Sequence, residues 1–294
     1  MFKSLSIVMI MVGTVIQALP LRGGDDFDGT LRVAGSTTLL PIVADAASRF
    51  MEKYETWDKV HPTFPKKSIL IYVTGGGSGF GVKSAMDGSA HIGTSSRYLK
   101  EDEKQKLGDH QQFLLSMDCV AFASHKESAL SKAKNNLTRE EVVKILSGEA
   151  KTWKDVDPSL PADPIVLLMR DAAGGSTEIL QKVILKDKTF SPHAIQVPSQ
   201  GANIKKCETT PNAFAYFSSV VALRSDGVKT FSYEGVEPTN ENVLSGRYPL
   251  VRPLLLIVKG QPNAYVKAFI DYLLGEGQAV VEEHGYVPVK GVSK

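Results

Sequence analysis

Arg170 closes an apolar run, IVLLM (165–169), and is followed by the turn DAAGG (171–175) and by two hydroxyls, Ser176 and Thr177. Its guanidinium offers a planar fork of donors that suits an oxyanion. The run before it has the length and bulk of a buried strand. Beyond the turn, Ile179, Leu180, Val183 and Ile184 recur at helical spacing. Strand, Gly-rich turn and helix start together make an anion site. The first N–H groups of a helix have no partner within it and carry partial positive charge. Taken alone, the same unit also reads as an ordinary strand–turn–helix with a solvated arginine.

Three more turns repeat the pattern: GSTT (35–38), TGGGSG (74–79) and TSSR (94–97). Ligands of α/β sheets sit beyond the carboxyl ends of strands, so such turns can converge. Backbone N–H groups, hydroxyls and one or two arginines then suit a tetrahedral oxyanion, with no metal required. Four unrelated surface turns have the same composition, because Gly and Ser are common turn residues.

The elements that would position these turns alternate. Strands are expected at 30–34, 68–73, 90–93 and 165–169, with helices at 39–54, 101–107, 137–148 and 264–274. Another helix runs through Val82, Ala85 and Met86 and stops at Gly88. Thr138 and Glu141 have capping-box spacing. The apolar runs FLLSMDCVAFA (113–123), broken by Asp118, and YPLVRPLLLIVK (248–259) read as crossings between two lobes. Residues 190–207 read as mostly loop, and the element type of 211–223 stays open. The alternation implies α/β with largely parallel sheets.

The 294 residues are 43% hydrophobic and 22% charged, enough for one large or two moderate cores. A net charge of +2 without a long basic run argues against nucleic acid as a partner. Lys3, an apolar run to Ile16 and the small residue Ala18 predict a signal segment at 1–19, either cleaved or kept as an anchor, hence export to the periplasm or the outer face of the cytoplasmic membrane. Cys119 and Cys207 either pair or stand as two buried thiols, and neither fits a metal-site pattern. The stretch GGSGFGVKS (76–84) misses a P-loop because Val82 separates Gly81 from Lys83. No G-x-S-x-G elbow or H-E-x-x-H occurs, and the six histidines are scattered.

Ordered motifs carry a resemblance: GSTTLLPI (35–42), TGGGSGFGVKS (74–84), HIGTSSR (91–97) and RDAAGGSTE (170–178). Looser agreement continues in TPNAFAYFS (210–218), YPLVRPL (248–254) and GQAVVEEHGYVPV (277–289). The chain resembles the phosphate-binding proteins of the bacterial phosphate ABC transporter, within the periplasmic-binding-protein family. The resemblance implies a two-lobed fold of type II, each lobe a mostly parallel sheet flanked by helices, with the ligand in the cleft. Lobe one would comprise 30–116 and 251–290, and lobe two 117–250.

It further implies a phosphate shell of Ser36, Thr37, Thr38, Gly77, Ser78, Ser95, Ser96, Arg170, Gly174, Gly175 and Ser176. Inorganic phosphate and a membrane permease are the implied partners of a monomer without cofactor, metal or catalysis. Two departures stand out. Gly174 replaces a serine of the family, and Ser96 stands where many members have an aspartate that accepts the proton of phosphate. Arg97 either adds positive charge there or serves the surface. Rival readings are another oxyanion (sulfate, molybdate or tungstate), an exported phosphoester hydrolase, or a surface-interaction role on the same fold.

Overall fold

Apolar residues at helical spacing give the helix Leu40–Tyr54 one buried stripe: Ile42, Val43, Ala46, Ala47 and Phe50, with Pro41 tolerated in its first turn. The structure, a computed structural model, describes residues 27–289; the expected signal segment lies outside them. Among the described residues eleven strands form one continuous mixed sheet. They are β1 (Thr30–Gly35), β2 (Leu70–Gly75), β3 (Ile92–Ser95), β4 (His110–His125), β5 (Asn136–Leu137) and β6 (Val166–Arg170). Then follow β7 (Ile195–Val197), β8 (Ala213–Ser218), β9 (Val228–Tyr233), β10 (Val251–Lys259) and β11 (Val287–Pro288).

The strand order β2-β1-β3-β10-β4-β8-β6-β7 sets a parallel block of three strands at each end. Between them β10 pairs antiparallel with the first part of β4, His110 to Cys119. The α/β expectation of two parallel-sheet halves stands, with antiparallel pairs added at the crossings. The reason is topological: a chain that leaves one half on β4 and returns on β10 must run these neighbours in opposite directions.

Each half of the sheet is apolar on both faces. In β10, Leu254, Leu256 and Val258 join Val33, Phe50 and Phe269 on one side. Leu255 and Ile257 join Val82 and Leu107 on the other. The period of two splits β4 likewise, with Val120 and Phe122 joining Trp153 and Phe231 in one cluster, and Ala121 and Ala123 joining Phe217 in another. The helix Arg139–Ser147 starts on the expected capping box, where the Thr138 N–H donates to Glu141 Oε2 at 2.8 Å. Cys119 and Cys207 are unpaired and buried, and burial pushes both thiols up to about 12. Among the described residues no helix is long and apolar enough to cross a membrane.

The region expected to be mostly loop holds β7 and the helix Gln200–Thr209. That helix buries Gln200, Asn203 and Cys207, so it has no apolar stripe to reveal it. The undecided stretch resolves into β8 and the helix Ser219–Leu223.

Candidate anion-binding site

The four turns meet. Ser36, Thr37 and Thr38 after β1, Gly77 and Ser78 after β2, and Ser96 after β3 face Arg170 at the end of β6 and Gly174, Gly175 and Ser176 after it, with Gln200 completing the wall. These residues enclose one small cavity between the two halves. No Asp or Glu lines it among the described residues.

Arg170 is 2% exposed at the end of β6. Its Nη1 donates to the Val197 carbonyl at 2.6 Å and its Nη2 to Thr37 Oγ1 at 2.8 Å, joining the halves. Asp171 Oδ2 stands 3.3 Å from Nη2. Burial lowers the pKa of this guanidinium and Asp171 opposes the shift; arginine stays charged regardless. The backbone of Arg170 is anchored too, its N–H donating to Tyr216 Oη at 3.0 Å. Tyr216 Oη also pairs with Thr177 Oγ1 at 2.7 Å, and burial pushes the phenol up to about 12. Thr177 therefore supports Arg170 from behind.

A second arginine, absent from the expected shell, reaches the same residues. Arg252 is 1% exposed. Its Nη1 donates to Ser176 Oγ at 2.6 Å and Ser96 Oγ at 3.3 Å, and its Nη2 to Thr38 Oγ1 at 3.3 Å. A hydroxyl that accepts from a guanidinium keeps its own proton free to donate. The two arginines thus turn Thr37, Thr38 and Ser176 into donors around the cavity. Such a shell suits an anion, in a buried setting where charge-assisted hydrogen bonds are strong.

Glycines let the halves approach. A Cβ on Gly175 would lie 2.5 Å from Ser96 Oγ and 2.8 Å from Ser78 Oγ. Gly77 has φ +91°, a left-handed conformation that favours glycine, at the entry to the helix Ser78–Asp87. Close by, the Gly79 N–H donates across to the Ala173 carbonyl at 3.1 Å.

Ser95 departs from the expected shell. Its hydroxyl closes a turn on its own chain, donating to the Arg97 carbonyl at 2.8 Å and accepting the Arg97 N–H at 3.3 Å. Arg97 adds no charge to the cavity. It is 7% exposed, bonded twice at 2.7 Å to Glu103, and its Nε lies 2.7 Å from Glu178 as an ion pair without hydrogen-bond alignment. Burial lowers its pKa, and the two carboxylates outweigh that and leave it raised. Arg252 and Gln200 are the residues that sequence reading missed. A charged residue inside the apolar run LVRPLLLIV (250–258), with Asp118 inside the other crossing, is the signal that points to a buried pair. Gln200 has no such signal.

A family model described as the PBP superfamily domain matches residues 22–276. A phosphate-binding protein PstS of Bacillus subtilis is 29% identical over 273 residues, covering 91% of this chain and 83% of its own. One from Staphylococcus haemolyticus is 28% identical over 276 residues, covering 89% and 82%. A Clostridium perfringens crystal structure, described as a phosphate ABC transporter substrate-binding protein with bound phosphate, superposes with a TM-score of 0.75. It shares 27% identity and covers 88% of this chain and 99% of its own.

Proposed function

The chain belongs to the PBP superfamily, and on that premise we propose that it is an exported phosphate-binding protein that hands its anion to an ABC transporter permease. One observation carries the reading: buried Arg170 and a ring of hydroxyls line one small cavity between the halves, a second buried arginine, Arg252, bonds those hydroxyls from behind, and among the described residues no carboxylate stands in the wall. The ligand shell comprises Ser36, Thr37, Thr38, Gly77, Ser78, Ser96, Arg170, Gly174, Gly175 and Ser176, with Arg252 behind it. Residues 30–116 with 251–290 act as one lobe and 117–250 as the other, in a monomer. Closure of the lobes brings Thr37 to Arg170 and Ser176 towards Ser96, which completes the donor shell and excludes water. The names of the relatives support phosphate as the anion.

Calorimetric titration of refolded protein, freed of carried-over anion, with phosphate, sulfate and molybdate tests this. Tight phosphate binding is expected. Binding of sulfate or molybdate in preference to phosphate would overturn the assignment. A phosphatase assay with and without divalent metals checks the rival hydrolase reading, and turnover that scales with protein would establish it.

A further inference from the structure

Gln200 is 4% exposed and lines the cavity. Its Nε2 makes two long hydrogen bonds, to Thr38 Oγ1 at 3.4 Å and Ser176 Oγ at 3.5 Å, one to each half. Its Oε1 is buried and meets no partner among the described residues. An orphaned buried carbonyl is costly, and such groups mark a place where a ligand or water completes the bonding.

The hydroxyls of the rest of the shell are already engaged as acceptors, each taking at least one bond. Ser36 Oγ accepts the Thr38 N–H at 3.2 Å, and Ser78 Oγ accepts the Ser96 N–H at 3.0 Å. Thr37 and Ser176 accept from the arginines, and Ser96 Oγ sits between Arg252 at 3.3 Å and Ser78 Oγ at 3.2 Å. Asp171 is engaged by Arg170 and stays out of the lining. Near neutral pH phosphate keeps at least one proton, and that O–H needs an acceptor inside a cage built of donors.

We propose that Gln200 Oε1 is that acceptor, a neutral specificity residue that selects protonated tetrahedral oxyanions in place of a carboxylate at position 96. The proposal rests on the phosphate reading above and names how that site tells its ligand from sulfate. An amide carbonyl carries no net charge, so it opposes a dianion only through its dipole and far less than a carboxylate would. It rewards the protonated ligand with one hydrogen bond and leaves itself unsatisfied when sulfate enters. Selectivity by a gained bond is weaker than selectivity by charge repulsion.

Titration of wild type, Gln200→Met and Gln200→Glu with phosphate and sulfate at neutral pH tests the assignment, with thermal unfolding as the fold control. Gln200→Met removes the acceptor at similar volume, so phosphate binding weakens about tenfold while sulfate binding changes little. Gln200→Glu restores a carboxylate and weakens sulfate far more than phosphate, which widens the ratio. If Gln200→Met weakens both anions equally, or the phosphate-to-sulfate ratio is the same in all three proteins, the residue only packs or donates and the proposal falls. Should Gln200→Met fail to fold, Gln200→Glu alone decides, since an unchanged ratio overturns the proposal. Wild type that takes up no phosphate would instead overturn the reading of the site itself.

Discussion

Arg252 and Asp118 face each other on neighbouring antiparallel strands, in register where the chain passes between its two cores. Nε and Nη2 of the arginine donate to Asp118 Oδ2 at 3.0 and 2.7 Å, and neither side chain is more than 1% exposed. Ser218 Oγ donates to the other carboxylate oxygen at 2.9 Å. Asp118 thus holds the guanidinium in one orientation, from which it reaches Thr38 and Ser96 of one half and Ser176 of the other.

Replacing Arg252 with Met strands the Asp118 charge in the interior. Breaking one side of a buried pair costs about 3–5 kcal/mol, whereas replacing both partners is often nearly neutral. Arg252→Met should therefore lower the urea midpoint strongly, and adding Asp118→Asn should restore much of it. Anion affinity should stay at least about tenfold weaker in both. Wild-type affinity in the double variant would remove Arg252 from the site.

Arg170→Ala should abolish tight anion binding with the fold retained. Truncating one side of a buried charge-assisted contact costs about 2–5 kcal/mol, or roughly thirty- to several-thousand-fold in affinity. The Val197 carbonyl also loses its donor, which should lower stability by about 1–3 kcal/mol. A folded variant that binds phosphate like wild type would contradict the assignment.

At position 96 a carboxylate would face the anion in a dry site and repel fully ionised sulfate, while phosphate can offer it a proton. Ser96 is 2% exposed and lines the cavity. Ser96→Asp should widen the phosphate-to-sulfate ratio, chiefly by weakening sulfate. Titration of both proteins with both anions reads this directly, and an unchanged ratio would place Ser96 out of contact with the ligand.

Glu178 lies on the helix that carries Ser176, and Arg97 follows Ser96, so their ion pair at 2.7 Å ties two lining turns of opposite halves. Lys100 Nζ adds a contact at 3.1 Å. Glu178→Gln should weaken anion binding about three- to thirtyfold, a coupling of about 0.7–2 kcal/mol, mainly through faster release. Stopped-flow release rates measure this. On the proposal that the lobes part without anion, thermal unfolding of the anion-free protein should stay as in wild type; an equal loss in free and loaded protein would make the pair a static contact.

His91 Nδ1 accepts the Arg32 N–H at 3.0 Å, a bond that needs the neutral ring. Burial, aided by the Arg32 charge and opposed by Asp28, lowers its pKa from 6.5. The unfolded chain therefore takes up the proton first. The contribution of His91 to stability is full above about pH 6.5 and is lost as the pH falls from there towards the folded value. Urea midpoints across this window should fall less steeply in His91→Asn than in wild type; identical slopes would show that His91 contributes nothing.

By itself the sequence determined the alternation of strands and helices, the four Gly- and hydroxyl-rich turns, and Arg170 as a charged donor at a strand end. Those features are local: hydrophobic period, capping spacing and turn chemistry act over a few residues. Tertiary structure alone decided which groups meet. Arg252 and Asp118 are 134 residues apart and become partners only through the register of two crossing strands. Ser95 and Ser96 are alike in composition, yet the fold turns the first onto its own backbone and the second into the cavity. Gln200 belongs to a helix whose buried face is largely polar, so no periodicity announces it. Its place in the wall exists only because that helix packs where the two halves meet, between Thr38 and Ser176.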